Sequence, residues 1–331
     1  MASLPTITLE EHYKSPAISS QADQQDLWQH FPADISAKLD DLSPSGVRLQ
    51  HMDAGHVSLQ VMSHAPGAAS SPPGLCAAAN DELAAACARL PARLAGFACL
   101  PMAHPGEAAR ELARCVRELG FAGALVDNHL ADGSYYDDER FRPVFAAAQE
   151  LDVPLYLHPT FPTPEMQRLL YRGNYSRRTA GILGSAGWGW HVDCGLHVLR
   201  LYAAGVFDEF PRLKIIVGHM GEMLPFQLAR CDKFAGRFDK GTPAAKTLKQ
   251  VWDENLWVTT SGMFSLDPLA CLLRNTKVER ILYSVDWPFA DNETGWRFLQ
   301  ELRDSGMVSE EQLRMIAYGN AEALLKVRAV S

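Results

Sequence analysis

Eight short apolar runs recur along the 331-residue chain, and from the second run onward stretches with helical periodicity alternate with them. The runs, at 7–12, 57–63, 94–101, 123–128, 154–158, 214–219, 256–261 and 281–286, are rich in the β-branched and aromatic residues that suit strands. The helical stretches fall at 80–90, 107–119, 138–151, 193–207, 224–234, 268–275, 293–304 and 309–326. Strands separated by helices pair in parallel, since only a long crossover returns the chain to the same end of a sheet. Eight such units over this length predict an α/β chain folded as a (β/α)8 TIM barrel, one domain spanning residues 1–331. The early strands lack the Gly-x-Gly-x-x-Gly fingerprint that would favour an open dinucleotide-binding sheet.

Two segments break the repeat: 14–44 after the first strand and 159–189 after the fifth. Both follow strands, so in a barrel both sit on the face that carries chemistry, with the loop 63–74 beside them. Long loops of this kind are usually lids or interface pieces. A formal net charge of -8 and no basic cluster argue against a nucleic-acid partner. No apolar run approaches the ~20 residues of a membrane span. Seven dispersed cysteines and an N-terminus that enters a strand almost at once, with no signal peptide in view, predict a cytoplasmic protein with reduced thiols.

The strand ends carry the ligand-type residues. Glu10 and His12, two apart on the first strand, point to one face. The fifth ends at His158, the sixth at His219 with Glu222 three residues on, and the eighth at Asp286. Any one of these has an ordinary structural reading: a solvated edge for Glu10, a turn cap for Asp286. Four strand ends delivering imidazoles and carboxylates to one rim point instead to a divalent metal site. His30, His51, His56, His104, His129, His191 and His197 read as surface or core residues, with His64 and His129 at the borderline of a pocket. Trp188, Trp190 and Phe289 are candidate aromatic walls for a flat substrate.

Glu-x-His on the first strand, His158-Pro159, Gly218-His-Met-Gly-Glu222 and Asp286-Trp-Pro-Phe289 together resemble the amidohydrolase-2 group. Within it the chain is most similar to the metal-dependent, non-oxidative aromatic-acid decarboxylases of the γ-resorcylate and 2,3-dihydroxybenzoate type. The resemblance runs from the first strand to the eighth. It implies one divalent ion, zinc or manganese with magnesium also admissible, on Glu10, His12, His158 and Asp286. His219 and Glu222 would form a hydrogen-bonded catalytic pair beside it, and Asp286 would protonate the ring carbon that loses CO2. Arg230 matches a family arginine expected to reach substrate, directly or across a subunit interface; Asn128, ending the fourth strand, is a further substrate-binding candidate. A homodimer or homotetramer is the usual assembly. The wider superfamily's hydrolases carry His-x-His on the first strand and many a carboxylated lysine on the fourth, where this chain has Glu10 and Val126-Asp127-Asn128. Both departures favour one metal and a lyase over the rival reading, a metal-dependent hydrolase or hydratase. A catalytically silent scaffold would be expected to have broken ligands, and none is missing.

Overall fold

The computed structural model describes residues 4–21, 32–43, 45–238 and 244–329; residues 22–31, with His30, and Pro44 of the first predicted loop lie outside the described residues. The strands are β1 (Ile7–Tyr13), β2 (Leu59–His64), β3 (Leu94–Gly96), β4 (Ala98–Cys99), β5 (Ala124–Asp127), β6 (Pro154–His158), β7 (Lys214–Val217), β8 (Leu256–Thr259) and β9 (Ile281–Leu282). β3 and β4 are halves of the third predicted run, parted at Phe97, whose N–H donates to Met62 O at 2.8 Å. Every ladder is parallel, in the orders β1-β2-β3 and β4-β5-β6-β7-β8-β9. Helices such as Pro73–Arg89, Pro105–Arg117, Arg142–Leu151 and Asn292–Ser305 cover the outer face, giving a (β/α)8 barrel.

Both strand faces are buried, which is why the runs read as continuously apolar. Ile7, Leu9, Val61, Phe97, Leu125, Tyr156, Ile216 and Leu282 fill the barrel. Alternate residues, among them Tyr13, Met62, Val126, Leu157 and Val217, pack outward against helices. β1 changes parity part-way. Its register with β2 shifts between Thr8 and Glu11. That bulge allows Glu10 and His12 to follow Ile7 and Leu9 into the barrel and leaves Glu11 on the other side.

The eighth predicted strand stops early, at Leu282, because side chains replace its ladder to β1. Ser284 Oγ accepts from Leu9 N at 2.9 Å and Glu10 N at 2.8 Å. The Glu11 carboxylate accepts from Val285 N and Trp287 N, each at 3.1 Å. His12 N then donates to Trp287 O at 2.8 Å. Burial pushes the Glu11 carboxyl up to about 8 against the pull of those two N–H donors. Arg48, itself buried, donates to His12 O at 2.6 Å and lies over the Trp287 ring.

Other elements differ from the expected bounds. The first predicted helix starts at Pro73 rather than 80, since proline, read in sequence as part of a loop, is well suited to the first helical turn. The 159–189 segment holds Pro164–Met166, Gln167–Tyr171 and Arg177–Gly184, short pieces started by Thr163 and Ser176 caps and too brief to show a period. The last helical stretch is divided into Glu310–Arg314, Met315–Gly319 and Asn320–Leu325. No helix of the described residues is long and apolar enough to cross a membrane.

Glu11→Ala would leave the buried Val285 and Trp287 N–H groups without acceptors. Each stranded group costs ~1–3 kcal/mol, so the urea midpoint should fall clearly; an unchanged midpoint would remove Glu11 from this closure.

Candidate active site

Four side chains converge at the C-terminal mouth of the barrel. One donor atom each from Glu10, His12, His158 and Asp286 lies within 4.8 Å of all the others. His158 Nε2 is 3.0 Å from Glu10 Oε1, and His12 Nε2 is 3.3 Å from Asp286 Oδ1. Yet Glu10 Oε1 and His12 Nε2, both buried, make no aligned hydrogen bond among the described residues. These atoms aim at a common point rather than at one another, the arrangement expected of cation ligands.

Their outer atoms are engaged. His158 Nδ1 donates to Pro159 O at 2.7 Å, and His12 Nδ1 lies 3.3 Å from Ser63 Oγ, so each ring presents Nε2 inward. Glu10 Oε2 accepts from the Tyr156 hydroxyl and, at 3.3 Å, from Thr259 Oγ1, which leaves Oε1 for an ion. Burial works to raise Glu10, but the charges of His219 and His158 outweigh it and hold the carboxyl well below the usual range. Burial lowers His12, whereas at His158 the neighbouring Glu10 overcomes burial and raises it. An all-N/O set of two imidazoles and two carboxylates fits one divalent ion.

A second group borders the first. Residues 219–223 all take positive φ, from 48° at His219 to 91° at Gly221, forming a left-handed turn. Non-glycine residues occupy this region only where their surroundings compel it, at ~1–2 kcal/mol each. The turn brings His219 Nδ1 to 2.8 Å from Glu222 Oε1 and leaves Nε2 3.8 Å from Asp286 Oδ2. Burial opposes the charge on His219, but Glu10 and Glu222 prevail and raise it well above its ordinary value. Asp286 also has positive φ, 75°, and its flanking peptides are the ones held by Glu11.

Above lies a cavity of about 360 Å3, walled by Phe161, Trp190, Met263 and Phe289, with His158, His191, His219 and Asp286 at its polar end. Its size matches a small ligand. Phe289 and Trp190 therefore reach the cavity, but three other substrate candidates do not. Trp188 is 48% exposed and outside the lining. Arg230 lies in a surface groove with Phe234 and Phe238. Asn128 is buried, donating to Asp193 at 2.6 Å, because its place after Asp127 turns it outward from the barrel. His64 and His129 are buried too: His64 Nε2 accepts from Ser15 N at 3.1 Å, and the Nδ1 atoms donate to the Ala65 and Leu130 carbonyls. His191 is the correction in the other direction. Read in sequence as non-functional, it lines the cavity with Nδ1 2.8 Å from Glu222 Oε2. No strand-end signal marks it, since it sits where the fifth strand's long insertion ends. Tyr156 and Thr259 were likewise hidden among core positions.

The amidohydrolase family model matches residues 26–327. The chain belongs to the amidohydrolase family. This amidohydrolase is similar to Decarboxylase orsB of Emericella nidulans, 52% identical over 328 residues that cover 98% of this chain and 97% of that protein. It also resembles a solved 2,6-dihydroxybenzoate decarboxylase complexed with 2,6-dihydroxybenzoate, at TM-score 0.85 and 34% identity, covering 98% of this chain and 100% of that one. A third likeness is the dihydroxybenzoic acid decarboxylase of Polaromonas sp. JS666, with bound manganese and 2-nitroresorcinol. Its TM-score is 0.85 and its identity 33%, covering 98% and 97% of the two chains.

Gly218 of the amidohydrolase passes close to Glu10. A Cβ there would lie 3.0 Å from Glu10 Oε2 and 3.1 Å from the Tyr156 hydroxyl. Gly218→Ala should weaken Mn2+ binding by about 10-fold or more in calorimetric titration, as loss of ligand support does. Unchanged affinity would show that Glu10 absorbs the methyl group.

Proposed function

We propose that this amidohydrolase is a metal-dependent carboxy-lyase that removes CO2, without an oxidant, from an ortho-hydroxylated aromatic acid such as a dihydroxybenzoate or orsellinate-type acid. The observation that carries the reading is an apolar, ring-sized cavity whose polar end is the Glu10–His12–His158–Asp286 cluster. Similarity over nearly full length to proteins named as decarboxylases supports it over the hydrolase alternative.

Glu10, His12, His158 and Asp286 would hold one Zn2+, Mn2+ or Mg2+ ion; when bound, it supplies a Lewis acid that anchors the acid and lowers the pKa of its phenol. The remaining work belongs to the chain. Phe289, Trp190 and Phe161 clamp the ring and exclude water, so that the ring carbon bearing the carboxylate meets a positioned acid instead of solvent. Asp286, part-exposed at the cavity edge, delivers a proton to that carbon. The C–C bond to CO2 then breaks, and its electron pair restores the aromatic ring. His219, 3.8 Å away and fixed by Glu222, returns a proton to Asp286. Each step requires Asp286 to face both the ring and His219, and its left-handed φ gives it that aspect.

The same reading treats the whole chain as one catalytic domain working in the cytoplasm, in keeping with seven unpaired cysteines. It treats the enzyme as a homodimer or homotetramer. Arg230, remote from its own cavity, would then serve a neighbouring subunit, and the exposed Leu169, Leu170 and Ile182 would lie in subunit contacts.

Incubation with 2,3- and 2,6-dihydroxybenzoate and orsellinate, each with Zn2+, Mn2+ and Mg2+, should release CO2 and the matching phenol. Turnover confined to esters, lactones or enoic acids would sink the proposal. Asp286→Asn should lower kcat by ~10²–10⁴-fold, the usual worth of a positioned acid, while the aromatic acid still binds. Substantial residual activity would move the proton donor elsewhere.

A further inference from the structure

Glu222 is buried with a histidine on each oxygen. Oε1 accepts from His219 Nδ1 and Oε2 from His191 Nδ1, both at 2.8 Å. The second histidine comes from a different part of the chain, the start of the helix Gly189–Ala203 that follows the long insertion. Its other nitrogen, Nε2, lies 3.2 Å from Ala186 O, so both edges of the ring have a neighbour. The two imidazoles also meet each other edge to face, 4.7 Å between centroids.

The helix is built to hold that position. Gly195, one turn on, has no Cβ; one placed there would lie 2.7 Å from Glu222 O, so the helix packs directly on the left-handed turn. Asp193 anchors the helix to the end of β5, accepting from Asn128 Nδ2 at 2.6 Å and from the Tyr135 hydroxyl. A carboxylate with one free oxygen can swing, and its hydrogen bond to His219 then does not fix the ring orientation. With Oε2 occupied, Glu222 has one orientation, and His219 must donate from Nδ1 to it and turn Nε2, the edge that returns the proton, toward Asp286.

We propose that His191 is a positioning residue: through Glu222 it fixes the direction of the His219 ring, so that Nε2 faces Asp286, and couples the insertion at 159–189 to proton return at Asp286. The proposal rests on the decarboxylase reading for its kinetic arm only.

The test compares His191→Phe, which keeps a ring but no donor, with His191→Asn, whose amide nitrogen can replace Nδ1. Both are assayed alongside the native enzyme on the acid it turns over, after metal content and melting temperature confirm loading and folding. The Phe variant should lose about 10–100-fold in kcat, the usual range for such supporting groups, with KM nearly unchanged, and the Asn variant should recover most of the loss. Independently of turnover, 15N-histidine NMR of the Zn2+-loaded protein should show a hydrogen-bonded His219 Nδ1–H that exchanges slowly with solvent. In the Phe variant that signal should broaden and exchange faster with solvent. An Asn variant as impaired as the Phe variant, or a Phe variant with native kcat and an unaltered His219 signal, would overturn the proposal. Failure of the native enzyme to release CO2 from any of the acids would overturn the decarboxylase reading instead, leaving the NMR arm to decide the role of His191.

Discussion

The mouth of this barrel depends on how β1 is joined to the segment after β9. A regular ladder there would hold residues 283–286 extended and point their side chains alternately in and out. Instead, Ser284 Oγ and the Glu11 carboxylate take the backbone N–H groups that a ladder would have used. Freed from pleated geometry, Asp286 adopts φ 75° and brings its carboxylate to Glu10, His12 and His158. The substitution works because Glu11 is buried: a carboxylate cut off from water finds its best partners in peptide N–H groups. The β1 bulge matters equally. It is what puts Glu10 and His12 inside and Glu11 at the seam, so one irregularity serves both ligand presentation and closure.

The turn at 219–223 solves a related problem by other means. In a right-handed helix His219 and Glu222 would also be near neighbours, but the chain would leave β7 along a different path. The left-handed path lets Gly218 pass close to Glu10 and keeps His219 at the cavity edge with Glu222 buried behind it. Its strain is opposed by burial of residues 219–222 and by the two histidines that grip Glu222. Strain held in place by packing marks positions selected for geometry rather than for local stability.

Strand order and the strand-end residues were legible because each rests on a local rule: parallel strands are continuously apolar, and their C-terminal ends face one rim. Glu10, His12, His158, His219 and Asp286 all announced themselves in this way. His191 did not. Its relation to Glu222 spans 31 residues and depends on a helix docked through Gly195 and Asp193, which no periodicity encodes. Glu11 was hidden for a different reason, since simple alternation places it opposite Glu10 with no hint of a bulge or of a truncated eighth strand. Arg230 and Asn128 show the converse, residues of suitable chemistry placed by sequence position near a site that their side chains do not line.

The fourth strand position supplies a last structural reason for a single ion. The bridging lysine that many hydrolases of the wider superfamily carry would come from the end of β5, where this chain has Asp127 and Asn128. Both are already committed. Asp127 accepts from Gly67 N at 3.0 Å and Ala69 N at 2.8 Å, fixing the loop after β2 over the barrel. Asn128 joins Asp193 to His197 and so fastens the helix that carries His191. The space a second ion would need at the site's other flank is bounded by His219, whose Nδ1 is spent on Glu222. What a binuclear hydrolase gives to activating water, this barrel gives to holding its walls and its imidazole pair. A site with one ion, a positioned carboxyl group and an apolar cover suits protonation at carbon better than attack by a metal-activated water.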